Sequence, residues 1–303
     1  PYGEWLDLDE SDRNLLGEVR KSGARFVLDR VTALDFDIEE LATLGFTAIR
    51  LDAARYLSRP ESFGSRSMAE LLRAARVAGI DTVSHDVAIV RLALPPGASF
   101  AYYPGQYADV LLKDGSRRSY SMARRSTQDN QLEFHIRHKP GGVFSSYVFD
   151  GLAPRTLLRL EGPFGSFYLR DSERPMVLLA SGTGFAPIQA LLEQLCEQGN
   201  QRPAYLYWGG RVRADLYADA ALQGLAREHD WFHYRPVLSE PTQACAWQGA
   251  TGFVHLQVME EFASLADFEV YACGAPVVVD SARRDYVEQL QLPPERFYAD
   301  AFV

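Results

Sequence analysis

A chain of 303 residues is long enough for two or three domains, each with its own core. Its 47% hydrophobic and 23% charged content is that of a globular protein, and no apolar run approaches the roughly 20 residues of a membrane helix. A formal charge of −9 argues against a nucleic-acid partner.

The first residues, Pro1-Tyr2-Gly3, lack a methionine and suit a fragment or a processed form. Acidic residues stand where a signal peptide would be basic. Cys196, Cys245 and Cys273 are scattered, with no Cys-x-x-Cys, which fits a reducing cytoplasm. Three thiols cannot hold an all-cysteine iron–sulfur cluster, which needs four. His229 and His233 bracket Trp231 and Phe232 in a strand-like stretch, so no metal site is expected.

Residues 1–84 read as a small α/β segment. Strands are expected at Arg25–Asp29, Phe46–Leu51 and Ile80–Ser84, and helices at Ile38–Leu44 and Met68–Ala78, with a loop over Leu57–Ser67. Phe26-Val27-Leu28-Asp29 and Ile49-Arg50-Leu51-Asp52 resemble strands of a degenerate EAL domain, the cyclic-di-GMP phosphodiesterase barrel. Asp29 is followed by Arg30 where that family has paired aspartates, and the glutamate signature is missing, so phosphodiesterase activity is not implied. A generic packing or docking module is the other reading.

From Asp86 the pattern becomes alternating: Val87, Ile89, Leu92 and Leu94, then short strands around Tyr107, Val110–Leu112, Leu132–Ile136 and Leu157–Leu160. Such spacing predicts an antiparallel β-barrel over 85–170. After Pro175 strands and helices alternate: Met176–Ala180, Ala186–Gln198, Ala204–Trp208, Asp215–Arg227, Phe232–Leu238, Phe253–Phe262, Val270–Cys273, Pro276–Leu290 and Phe297–Ala299. That order predicts an α/β doubly wound parallel sheet over 171–303.

The strand Met176–Ala180 turns at once, through Ser181-Gly182-Thr183-Gly184-Phe185-Ala186-Pro187, into a helix with Ile188, Leu191, Leu192 and Leu195 on one face. The glycines let backbone approach a pyrophosphate at the helix N-terminus; a plain tight turn is the alternative. Arg117-Arg118-Ser119-Tyr120-Ser121-Met122 offers a cation for a pyrophosphate, a ring to stack on an isoalloxazine, and a hydroxyl for its nitrogen. An ordinary surface strand would also alternate in this way. His135-Ile136-Arg137 leads through Gly141-Gly142 to a helix start at Val143-Phe144-Ser145-Ser146, a second anion cradle.

In that order these motifs resemble the ferredoxin–NADP⁺ reductase superfamily over residues 85 to 303: Arg118-Ser119-Tyr120-Ser121, Gly141 to Ser146, Gly182-Thr183-Gly184-Phe185-Ala186-Pro187, Cys273-Gly274-Ala275-Pro276, and Phe297 to Phe302. Tyr207-Trp208-Gly209-Gly210-Arg211 and Asp215-Leu216-Tyr217 are most similar to the CDP-6-deoxyglucoseen reductase type, then to oxygenase reductases. The resemblance implies FAD, with Arg118 on its pyrophosphate, Tyr120 on its ring and Ser121 beside the nitrogen that takes hydride. It places Cys273 near the nicotinamide carbon, while Phe302 covers the flavin or else tucks into the core. Which of Ser145 and Ser146 meets the phosphate stays open.

Arg211, Arg213 and Asp215 give conflicting charges near the nucleotide ribose; NADH is expected, as in the relatives, with NADPH possible. Those relatives carry an N-terminal [2Fe–2S] domain, whereas residues 1–84 contain no cysteine. The expected activity is NAD(P)H oxidation, with electrons passed to a separate acceptor, an iron–sulfur protein or oxygenase. A diaphorase or free flavin reductase, and a redox-sensing regulator of a fused module, are the alternatives.

Overall fold

The computed structural model describes residues 26–31, 46–51 and 72–302, apart from 96–97, 99 and 126–129. The chain divides into two compact units, Pro1–Arg73 and Ala74–Val303. In the first, β1 (Phe26–Val31) and β2 (Phe46–Leu51) pair in parallel, Leu28 opposite Ile49. The helix expected at Ile38–Leu44 and the loop at Leu57–Ser67 lie outside the described residues.

The second unit opens with a correction. Of the stretch expected as a helix over Met68–Ala78, the described residues, from Leu72 on, belong to a long strand, β3 (Leu72–Ser84). Arg76 and Val77 lie opposite Ala93 and Leu92 of β4 (Val87–Ala93), and the register shifts beside Gly79. Its Ala and Arg content favours helix locally, but Ala75 and Val77 are buried while Arg76 and Ala78 are exposed. That two-residue alternation fits a sheet with one face on a core, and tertiary pairing overrides propensity. The unit therefore starts ahead of the 84/85 boundary expected from the sequence.

The antiparallel sheet is completed by β5 (Tyr107–Leu111), β6 (Arg117–Ser121), β7 (Gln131–Arg137) and β8 (Leu157–Phe164), in the order β6-β5-β8-β3-β4-β7. Its two outer strands meet. Met122 bridges to Phe134, and the Ala123 N–H donates to the Glu133 carbonyl at 2.8 Å, so the sheet closes on itself as a barrel. Leu92, Met122, Leu132 and Phe134 fill it, and the helix α1 (Val143–Asp150) adds Phe144 and Val148 to that core.

The parallel sheet is formed by β9 (Met176–Ser181), β10 (Ala204–Gly210), β11 (Phe232–Leu238), β12 (Ala250–Thr251), β13 (Glu269–Gly274) and β14 (Phe297–Ala301), ordered β12-β11-β10-β9-β13-β14. The connecting helices are α2 (Phe185–Glu197), α3 (Asp219–Glu228), α4 (Val254–Glu261) and α5 (Pro276–Gln289). All six residues of β13 and five of the six in β9 are buried, as expected for strands covered on both faces. Ile188, Leu191, Leu192 and Leu195 of α2 are all buried. The helix expected from Asp215 begins only at Asp219, because Asp215 sits in a short 3₁₀ turn, Arg213–Asp215. Strand order reverses between β9 and β13, so a crevice opens beyond their carboxyl ends, the usual ligand position in open α/β sheets. Among the described residues no helix is long and apolar enough to cross a membrane.

Candidate functional site

A cavity of about 1520 Å³ runs between one wall of the barrel and that crevice. It exceeds the roughly 300–1,000 Å³ of an ordinary small-ligand pocket. On the barrel side it is lined by Arg118, Ser119, Tyr120 and Ser121 of β6, by His135 and Arg137 of β7, and by Gly141 through Ser145. Opposite stand Gly182, Thr183, Gly209, Arg211, Asp215 and Pro276, with Phe302 at the chain end. Phe302 is 36% exposed and lines the cavity, so it is not tucked into the core.

The charges on β6 are sorted by its neighbours. Arg117 pairs with Glu161 at 2.8 Å, and the Ser119 hydroxyl donates to Asp109 at 2.6 Å. The Arg118 guanidinium makes a single hydrogen bond among the described residues, to the Arg117 carbonyl at 2.7 Å. Tyr120 packs on Phe144 with ring centroids 5.6 Å apart, and burial pushes its phenol up to about 12, which keeps it neutral. At the turn before α1 the Ser145 hydroxyl accepts from the Lys139 N–H at 3.1 Å. Ser146 turns away to His138 at 3.5 Å. Neither serine presents a hydroxyl free of protein partners, which leaves the first backbone N–H groups of α1 as the donors at this turn.

Several residues expected at the site lie behind its walls. Ile136 is in the barrel core, because strand alternation turns it away from the cavity that His135 and Arg137 face. Pro187 is buried in α2, and Gly184 and Gly274 are buried where strand ends and helix starts crowd together. Tyr217 meets His135 instead, its hydroxyl 2.8 Å from Nδ1. Cys273 is 1% exposed, and burial first, then the charge of Asp300, pushes its thiol up.

Asp300 is the residue that the sequence reading did not assign. In β14 it lies opposite Cys273 of β13, and it lines the cavity. The Ser121 hydroxyl donates to its Oδ2 at 3.3 Å, across 179 residues of chain. Burial raises its carboxyl, against the opposing bond from Ser121. Its sequence signal was its place in the tail Phe297 to Phe302, which carries the family resemblance with no role attached to the acid.

Behind this wall a polar group joins the two halves. Glu133 of β7 accepts from Gln189 of α2 at 3.2 Å and from Arg91 at 3.1 Å, and His135 Nε2 lies 3.3 Å from it. At the mouth, His85, Asp86 and Asp215 are the one group of metal-ligand type among the described residues. Arg137 and Arg211 already pair with Asp86, at 3.0 and 3.4 Å, so the group is an ion-pair lattice rather than a metal centre.

A closed barrel presenting cation, ring and hydroxyl to the crevice of a doubly wound sheet defines a flavoprotein that works with a nicotinamide nucleotide. Residues 74–168 match the family model of the oxidoreductase FAD-binding domain, and 178–284 that of the oxidoreductase NAD-binding domain. The chain is 42% identical to the CDP-6-deoxy-L-threo-D-glycero-4-hexulose-3-dehydrase reductase of Yersinia pseudotuberculosis, over 74% of this chain and 67% of that protein. It is 32% identical to the xylene/toluene monooxygenase electron transfer component XylA of Pseudomonas putida, over 99% and 79%. The crystal structure of the Amycolatopsis cytochrome P450 reductase GcoB superposes with a TM-score of 0.70 at 32% identity, covering 76% of this chain and 70% of that one. The chain belongs to the ferredoxin reductase-like family of FAD- and NAD-binding oxidoreductases. It spans 65% to 67% of the length of three of the curated relatives that it matches.

Proposed function

We propose that the chain takes hydride from NADH onto FAD and passes the electrons on, in the cytoplasm, to a separate iron–sulfur protein or oxygenase. The observation that carries this reading is the single cavity shared by the β6 wall and the β9/β13 crevice. The residues present fit FAD. Arg118 supplies a cation for its pyrophosphate, the start of α1 supplies N–H donors, and neutral Tyr120 supplies a ring. FAD, when bound, supplies a ring that accepts a hydride and releases electrons singly or in pairs. The glycine turn Gly182–Gly184 at the crevice suits the nicotinamide nucleotide. Two relatives carry names of electron-delivering parts, a reductase and an electron transfer component, and this supports an outside acceptor.

The protein's own contribution is orientation and one adjustable hydrogen bond. With Asp300 ionised, Ser121 donates to it and offers the cavity only lone pairs. With Asp300 protonated, the carboxyl donates to Ser121 Oγ, and the serine proton is free to point into the cavity. The protonation state at Asp300 Oδ2 therefore sets whether Ser121 accepts or donates there.

Asp300→Asn is expected to remove the pH dependence of the rate at which NADH reduces the flavin and to lower that rate about tenfold. The same variant should be at least as stable as the parent at neutral pH. A carboxyl raised in the fold carries its burial cost when ionised, and that cost disappears as pH falls through its folded pKa. Stopped-flow reduction across pH, with thermal unfolding, checks both, and an unaltered pH profile would reject the role.

The overall reading is tested by comparing NADH and NADPH with ferricyanide, cytochrome c and oxygen as acceptors. Protein that stays colourless with excess FAD and consumes neither nucleotide would end it.

A further inference from the structure

We propose that Asp86, a residue of the flavin barrel, sets the preference of the nucleotide half for NADH by occupying the arginine that a 2′-phosphate would need. This rests on the reading of the cavity as the site of a nicotinamide nucleotide. In a doubly wound sheet the adenosine ribose lies at the end of the second strand, where an acid suits a free 2′-hydroxyl and an arginine a 2′-phosphate. Arg211 directly follows β10, the second strand of this sheet, and lines the cavity. By position it is a 2′-phosphate ligand, and by sequence alone it argues for NADPH.

Its surroundings reverse that. Asp86 sits in the turn between β3 and β4 and reaches across to Arg211, Oδ2 to Nη2 at 3.4 Å. The same oxygen lies 3.0 Å from Nε of Arg137. On the other side, Asp215 lies 3.6 Å from Nε of Arg211. Asp215 is fully buried and already committed: its Oδ2 accepts the backbone N–H groups of Arg211 at 2.8 Å and Val212 at 3.3 Å. It folds the loop that carries Arg211, so its removal would disturb the loop rather than the charge alone.

Asp86 has no such duty toward the β10 loop. Two carboxylates and two guanidiniums balance to zero, and among the described residues His85 is the only other titratable group facing both acids, 3.7 Å from each. A 2′-phosphate carries about −1.5 to −2 charge near neutral pH. It would have to displace Asp86 from Arg211 and then lie beside it, a repulsive element against the wrong nucleotide. A free 2′-hydroxyl meets no such opposition. The barrel thus takes part in choosing a ligand whose pyrophosphate and adenosine belong to the other half.

The test is calorimetric binding of AMP and of adenosine 2′,5′-bisphosphate to the FAD-loaded protein, with steady-state NADH and NADPH rates alongside. The parent should favour AMP. Asp86→Asn keeps the size of the side chain and should move the affinity ratio toward the bisphosphate by roughly tenfold or more, as expected when a charge-assisted bond becomes available. The gain should vanish in Asp86→Asn combined with Arg211→Gln, which shows that Arg211 receives the phosphate. A ratio unchanged in Asp86→Asn with a normal flavin spectrum overturns the proposal, and so does a gain that survives in the double variant. Parent protein that binds neither ligand and oxidises neither nucleotide overturns the nucleotide reading itself, and the proposal with it.

Discussion

Arg118→Ala is expected to purify largely without flavin. Of the two adjacent arginines on β6, Arg117 is engaged by Glu161, while Arg118 has only a neighbouring carbonyl among the described residues and faces the cavity. A guanidinium forked onto a diphosphate makes two charge-assisted bonds in one plane. Losing them removes about 2–3 kcal/mol, roughly 30- to 160-fold in affinity. Arg118→Lys keeps the charge but not the fork and should recover only part of the flavin. The ratio of flavin to protein absorbance after gel filtration is the measurement. Full occupancy in the alanine variant would show that the pyrophosphate lies elsewhere.

Gly184→Ala is expected to damage the nucleotide half while leaving the barrel loaded with flavin. Gly184 has an ordinary helical backbone, φ −58°, so the reason for glycine here is space rather than conformation. A Cβ would lie 2.2 Å from the Cys273 carbonyl oxygen and 2.7 Å from the Gly274 Cα. Both are backbone atoms and cannot rotate aside, so the start of α2 must move away from the end of β13. Overpacking of this kind costs about 1–3 kcal/mol. A shift of about 1 Å at a site that positions two reactants can cost on the order of a hundredfold in rate. Thermal unfolding and kcat/KM for NADH are the readouts. A variant with parental values in both would mean that the crevice tolerates the displacement and that the close approach has no functional weight.

How far the chain could be read in advance followed from where each feature draws its stability. The parallel half was legible because strands buried on both faces are continuous apolar runs, and Met176–Ala180 and Val270–Cys273 are such runs. The start of the barrel was not, since Ala75 to Ala78 carries helix-favouring residues and becomes a strand only through its partner β4. Arg118, Tyr120 and Ser121 were legible as a compact motif on one strand. Asp300 and Asp86 were not, because their meaning lies in partners 179 and 125 residues away, Ser121 and Arg211. Asp215, expected at the nucleotide ribose, lines the cavity and also accepts the backbone N–H of Arg211 in its own loop.

The bonds from Gln189 to Glu133 and between Tyr217 and His135 have a consequence for how this enzyme can breathe. If barrel and sheet swung apart as jaws, a buried carboxylate and a buried imidazole would each lose a partner contributed by the other half and would have to be rehydrated. Access for ligands therefore depends on small movements at the mouth, with the seam behind it staying shut. Heat should melt both halves together: in a Trp5→Phe background, flavin emission, reporting on the barrel, and emission from the remaining Trp208, Trp231 and Trp247, reporting on the sheet half, are expected to change at one midpoint. Two separate midpoints would show that the seam yields first.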